Sequence, residues 1–161
     1  MQTAIAPVLL FSRLTVDLSV KSEYAILALL ELTGSFSSDQ PLQIRQIASL
    51  QNIPDRYLEQ LLATLKRQGL VKSQRGSKGG YILAREPWSI NVLDVVRCIE
   101  GYDPISPKNS LQNPETPSEA VVREVWRTAQ QAASEVLSNC TLKDLYEMKR
   151  QRQMSTAMYY I

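Results

Sequence analysis

Between positions 75 and 80 the chain reads Arg-Gly-Ser-Lys-Gly-Gly, two cations and three glycines in one short run. Such runs can bind phosphate, because backbone N–H groups free of flanking side chains approach an anion closely while the cations neutralise it. A nucleotide-binding loop, however, needs G-x-x-x-x-G-K-[ST] between a strand and a helix. Here Gly76, Gly79 and Gly80 stand between two strand-like runs, 70–74 and 81–85, and Lys78 precedes a glycine. Strand, glycine-rich tip and strand predict a β-hairpin, with glycine supplying the positive φ of a tight connection. The chemistry left to Arg75 and Lys78 is that of cations on a narrow projecting tip. They could lie along a phosphodiester backbone or enter a minor groove.

The preceding run, DRYLEQLLATLKRQG, offers a second surface. Leu58, Leu61, Leu62 and Leu65 form one apolar stripe of a helix, Pro54 suits its first turn and Gly69 the position after its last. Arg56, Glu59, Gln60 and Ala63 fall on the opposite face. Ahead of it, residues 42–50 predict a shorter helix burying Ile44, Ile47 and Ala48, with a brief QNIP turn between the two. A helix, a tight turn and a second helix with a polar face read as a helix-turn-helix, and the hairpin that follows reads as its wing. From 45 to 85 the chain carries eight Lys or Arg residues against Asp55 and Glu59, a surplus of six in a chain of net charge +2. The remainder is therefore net negative, and a basic segment in an otherwise acidic chain is the footprint of a polyanion-binding module.

The elements that must position these residues are mainly helical. Residues 19–32 predict a first helix with Tyr24, Leu27, Ala28 and Leu30 on its apolar face, ending before Gly34. Residues 89–101 predict a helix capped by Ser89 that buries Val92, Val95, Val96 and Ile99 and stops at Gly101. A loop holding three of the eight prolines, with a fourth just after it at Pro117, spans 102–116. Thr116, Pro117, Ser118 and Glu119 then make a capping box with proline at the first helical position. The helix from 117 to about 138 would be about 33 Å long. Its Val122, Val125, Ala129, Ala132 and Val136 follow a 3, 4, 3, 4 spacing, a seam with small residues at its centre, as expected of a dimerisation helix. Val121 and Trp126, off that seam, are expected to pack partly onto the helix's own domain. Thr141 caps a final short helix, 141–150, and residues 151–161 form a tail to which no element is assigned. The organisation is thus an extension at 1–17, a winged helix-turn-helix at 18–101, the loop, dimerisation helices at 117–150, and the tail.

Composition removes most alternatives. The chain has no histidine, which eliminates Ser-His and Cys-His nucleophile pairs, His-ligated metals and the usual general base near neutral pH. Cys98 and Cys140 lack C-x-x-C pairing, which argues against a zinc knuckle or a disulfide framework and suggests core thiols. No apolar run approaches a membrane span, and the N-terminal run lacks the basic start and small-residue cleavage site of a secretory signal, so a cytoplasmic location is expected. An enzyme is the weakest reading, for want of any catalytic constellation.

The runs LSVKSEYAILALLEL, IASLQNIPDRYLEQLLATLKRQGLVKSQRGSKGGYILAR, INVLDVVRCIEG and TLKDL together resemble the Rrf2 family of bacterial winged-helix transcription regulators, over about residues 18–148. The family includes the iron-sulfur cluster regulator and the cysteine-metabolism repressor. The resemblance implies a homodimer on palindromic promoter DNA, with the helix beginning near Pro54 in the major groove and Arg75 in the minor groove. By position, Arg56, Glu59 and Gln60 match base-reading residues, with Tyr57 and Leu58 as support. Their chemistry agrees: Gln60 can pair with adenine, Arg56 with guanine or phosphate, and Glu59 can accept from cytosine N4. Arg45, Lys66 and Lys78 complete the expected DNA-contacting set. Iron-sulfur members carry three cysteines in the loop that corresponds to 101–117, which here has none, so no cofactor is expected and a cluster is disfavoured. The regulatory input, a protein partner or a small effector, stays open. The competing reading is a winged helix used as a protein-interaction module docking on a metabolic enzyme.

Overall fold

The computed structural model describes residues 18–101 and 116–158, so the expectations for 1–17 and for nearly all of the proline-rich loop lie outside the described residues. The elements run α1 (Val20–Ser35), α2 (Ile44–Gln51), α3 (Asp55–Arg67), β1 (Val71–Gln74), β2 (Gly80–Leu83), α4 (Val92–Glu100), α5 (Pro117–Asn139) and α6 (Leu142–Met158). The fold is mainly helical with one two-stranded antiparallel hairpin, as the sequence implies.

Helix α1 lies at the centre, touching α2, α3, α4, α6 and β2. Ser19 caps it by accepting the Ser22 N–H at 3.1 Å. Its buried face is Ser22, Ala25, Ile26, Ala28, Leu29, Leu32 and Thr33, rotated from the expected one. Tyr24, Leu27 and Leu30 sit at the margin of the core, partly buried. From Tyr24 to Leu30 every side chain is apolar, so no stripe marks the inward face. The small Ala25 and Ala28 let neighbouring helices approach closely and decide it. Leu29 and Leu32 meet Ile47, Leu58, Leu62, Leu65, Ile90 and Val95 there, all without solvent exposure. Complete burial of each large aliphatic side chain stabilises the fold by about 1.5–3 kcal/mol.

Helix α4 is capped by Asn91, whose side chain accepts the Asp94 N–H at 2.8 Å, and not by Ser89. Ser89 instead closes a short 3-10 turn, its hydroxyl donating to the Glu86 carbonyl at 2.8 Å. The cap falls two residues later because Ile90 is extended: its carbonyl accepts the Leu142 N–H, while the Val92 N–H donates to the Cys140 carbonyl, both at 2.9 Å. Leu142, fully buried, anchors the start of α6 in the same core.

The capping box at Thr116 and Glu119 forms as expected, with bonds of 3.2 and 3.3 Å. Helix α5 buries none of its residues, however. Val121 and Trp126 are 61% and 49% exposed, so they do not pack onto the helix's own domain; contact with the core is left to the partly buried Leu137 and to Cys140 at its end. The last helix does not stop at Arg150 but continues to Met158, taking in most of the supposed tail. No glycine or proline interrupts 151–158, and Gln, Arg, Met and Ala there are good helix formers. No helix among the described residues is long and apolar enough to cross a membrane.

Candidate nucleic-acid interface

Helix α3 buries Leu58, Leu61, Leu62 and Leu65 against the core, which turns Arg56, Glu59, Gln60 and Ala63 to solvent. The apolar stripe thus sets the orientation of the polar face. Asp55 in the first turn and Lys66 and Arg67 in the last complement the helix dipole. Tyr57 is half-buried and meets Tyr24 edge-on, ring centroids 5.8 Å apart at 82°. It braces α3 against α1. Helix α2 presents Arg45 to solvent and packs through Ile47 and Ala48. Asn52 joins the two helices in a left-handed conformation, φ 53°, which its short polar side chain tolerates.

Strands β1 and β2 pair from Val71 with Leu83 to Gln74 with Gly80, leaving 75–79 as the tip. Arg75 and Lys78 are exposed on it. The glycines act differently from the sequence expectation. Only Gly76 takes a positive φ, 116°. Gly79 and Gly80 are required by close approach instead: a Cβ on Gly79 would strike the Gln74 carbonyl, and one on Gly80 the Leu42 carbonyl.

Leu42 was not legible as part of this surface. Its N–H donates to the Tyr81 carbonyl at 3.0 Å and its carbonyl accepts the Tyr81 N–H at 2.8 Å, so the chain entering α2 bonds to the wing as a third, one-residue strand. A second tie joins α3 to the wing, where Lys66 Nζ donates to Ser73 Oγ at 2.6 Å. Helix-turn-helix and hairpin therefore form one connected surface. The sequence signal for the first tie, a lone Leu between Pro41 and a helix, is too short to mark a strand.

All eight cations of 45–85, namely Arg45, Arg56, Lys66, Arg67, Lys72, Arg75, Lys78 and Arg85, are exposed. Lys143 pairs with Glu147 and Lys149 with Glu31, both away from this surface, and none of the eight cations is seen in a salt bridge among the described residues.

The expected seam of α5 is exposed along its length: Val122, Val125 and Val136 are 65–69% accessible, and Ala129 and Ala132 are also at the surface. Cys98 and Cys140 are free and half-buried. Burial pushes the Cys98 thiol up, with Arg67 opposing more weakly; burial also raises Cys140, helped by the negative charge of Asp144. Neither is an activated thiolate. Among the described residues no three Cys, Asp or Glu side chains converge as a metal site.

The comparisons agree with this geometry. A family model for Rrf2, described as an iron-dependent transcriptional regulator, matches residues 18–148. The HTH-type transcriptional regulator CymR of Bacillus subtilis is 38% identical over 144 residues, 89% of this chain and 99% of that protein. Protein rrf2 of Nitratidesulfovibrio vulgaris is 36% identical over 131 residues, 80% of this chain and 85% of that one. Among solved structures, that of CymR, the global cysteine regulator of B. subtilis, superposes with TM-score 0.74 at 37% identity, covering 83% of this chain and 98% of that one. IscR of T. potens gives TM-score 0.72 at 35% identity, covering 91% and 97%.

Proposed function

The chain belongs to the Rrf2 family and is a DNA-binding transcription regulator, not an enzyme, and from that premise we propose that it acts as a homodimer on palindromic promoter DNA. Helix α3 enters the major groove, where Gln60, Glu59 and Arg56 meet base edges, Gln60 favouring adenine and Glu59 cytosine. Arg75 and Lys78 lie at the adjacent minor groove and backbone, and Arg45 and Lys66 neutralise phosphates. The observation that carries this reading is the exposed set of cations spread over α2, α3 and the wing, none of them in a salt bridge among the described residues. Those elements are bonded to one another through Leu42 and Ser73.

The dimer rests on α5. Three valines more than 60% exposed on one face, with alanines between them, suit a second copy of the same helix better than water. Symmetry then supplies two reading heads, and hence a palindromic site.

The donor set does not fit an iron-sulfur cluster, which takes about four ligands, mostly thiolates. This chain has two cysteines, both with raised pKa, and no histidine. We therefore assign no cofactor, and the regulatory input falls to a protein partner or a small effector. A DNA target places the protein in the cytoplasm.

Sizing chromatography with salt-dependent binding tests the whole reading. A dimer whose affinity for a promoter fragment falls with a log–log salt slope of about −4 to −5 per subunit, from four to six phosphate contacts each, supports it. Binding no tighter than to random DNA, or insensitive to salt, rejects it in favour of a protein-docking module.

A further inference from the structure

Three helices, one from each working part of the molecule, meet at Glu31. Its Oε1 accepts from Gln51 Nε2 at 2.5 Å and from Lys149 Nζ at 2.6 Å. Gln51 is the last residue of α2, next to the Asn52 turn that leads into α3. Lys149 belongs to α6, which follows the seam helix. Glu31 sits on the central α1 with its side chain only 14% exposed, and that of Lys149 is 30% exposed, so the pair is largely shielded from competing water and salt.

The neighbouring contacts hold α6 against α1 at this point. Gly34, one turn on from Glu31, leaves room for Tyr146: a Cβ there would come within 3.1 Å of the Tyr146 ring and hydroxyl. Lys149 Nζ lies 6.0 Å from the Tyr146 ring centroid. The seat of α6 is thus sterically defined, and the Glu31 carboxylate passes its position on to the end of α2 through a bond to each side.

We propose that Glu31 is a positioning residue for DNA recognition, holding the helix-turn-helix at a fixed angle to the dimerisation segment through Gln51 and Lys149. A charge-assisted pair is suited to this because it is directional and loses its bond over a small displacement. Glu31→Gln keeps an acceptor for Gln51 but removes the charge that holds Lys149. In a two-fold dimer an angular error at α2 becomes an error in the distance between reading heads, so the consequence is loss of half-site spacing discrimination rather than loss of DNA affinity as such.

This rests on the homodimer reading, and the experiment separates the two. Operator sites are selected from random DNA with the wild-type protein, then rebuilt with half-site separation changed by one base pair in either direction. Affinities are measured for wild type, Glu31→Gln, Lys149→Met and the reversed pair Glu31→Lys with Lys149→Glu, alongside thermal midpoints and binding to one half-site. The expected result is a wild-type preference for the selected spacing of about tenfold, reduced to within about twofold in both single variants and recovered in the reversed pair. Half-site binding stays close to wild type, and the reversed pair recovers any thermal midpoint lost in the single variants. Single variants that discriminate as well as wild type overturn the role of Glu31 while leaving the dimer reading intact. A wild type indifferent to spacing overturns both.

Discussion

The backbones of Leu42 and Tyr81 exchange two hydrogen bonds, 3.0 and 2.8 Å long, so the entry to α2 and the second strand of the wing are held as one piece. Gly80 makes this possible, since any Cβ there would meet the Leu42 carbonyl. Gly80→Val should therefore part the wing from the helix-turn-helix. We expect a stability loss of about 1–3 kcal/mol in denaturant unfolding and a much larger proportional loss of DNA affinity.

Base readout and backbone neutralisation separate by mutation. Gln60→Ala should relax preference at one base position, costing about 1–3 kcal/mol on the preferred sequence and little on others. Lys78→Ala should weaken binding to all sequences alike and make the salt slope shallower by about 1. Binding curves for one selected site and one random duplex, each at several salt concentrations, distinguish the two patterns.

Glu100 joins the end of α4 to the start of α1. It accepts hydrogen bonds from Ser19 and, at 2.7 Å, from Ser22, and the Ser19 bond chiefly holds its carboxyl below the usual carboxylate range, with Ser22 and Lys21 adding to the effect. A depressed folded-state pKa contributes stability that is complete above the unfolded value, about 4.3, and is lost as pH falls through the folded one. Ser19→Ala, which also removes the α1 cap, should accordingly cost about 1–2 kcal/mol at neutral pH, and the gap to wild type should narrow below about pH 4 to the part the cap contributes. Equilibrium unfolding at a series of pH values checks this.

Cys98 and Cys140 have thiols raised by burial, so little thiolate exists at neutral pH. Alkylation of the folded protein should be slow at pH 7, accelerate only above the ordinary thiol range, and become rapid on unfolding. The double Cys→Ser variant should bind DNA as wild type does, with or without oxidant.

Helix α3 was legible because leucines at 58, 61, 62 and 65 alternate with charged and polar neighbours, a contrast that fixes both helix and inward face. The Thr116 box was legible for a similar reason: a local bond pattern has a local sequence signature. Helix α1 carries no such contrast, and its face had to await the packing of Ala25 and Ala28. The glycines at 79 and 80 looked like turn residues, but what they avoid includes a carbonyl at position 42, which no local reading could supply. The Lys66 bond to Ser73 and the meeting at Glu31 are likewise products of tertiary assembly. The extent of α6 was missed because its last two turns are wholly exposed, with no apolar stripe to declare them.

The central claim is that α3 and the wing tip of each subunit face one duplex. Affinity cleavage measures this directly, with a DNA-cutting iron chelate attached at Gln60→Cys or Arg75→Cys in a Cys98→Ser, Cys140→Ser background. The account predicts cuts from position 60 within the major groove of each half-site and from position 75 in the flanking minor groove, both mirrored about the operator centre. Diffuse cutting from both positions, or cutting from one with the other remote from DNA, would contradict it.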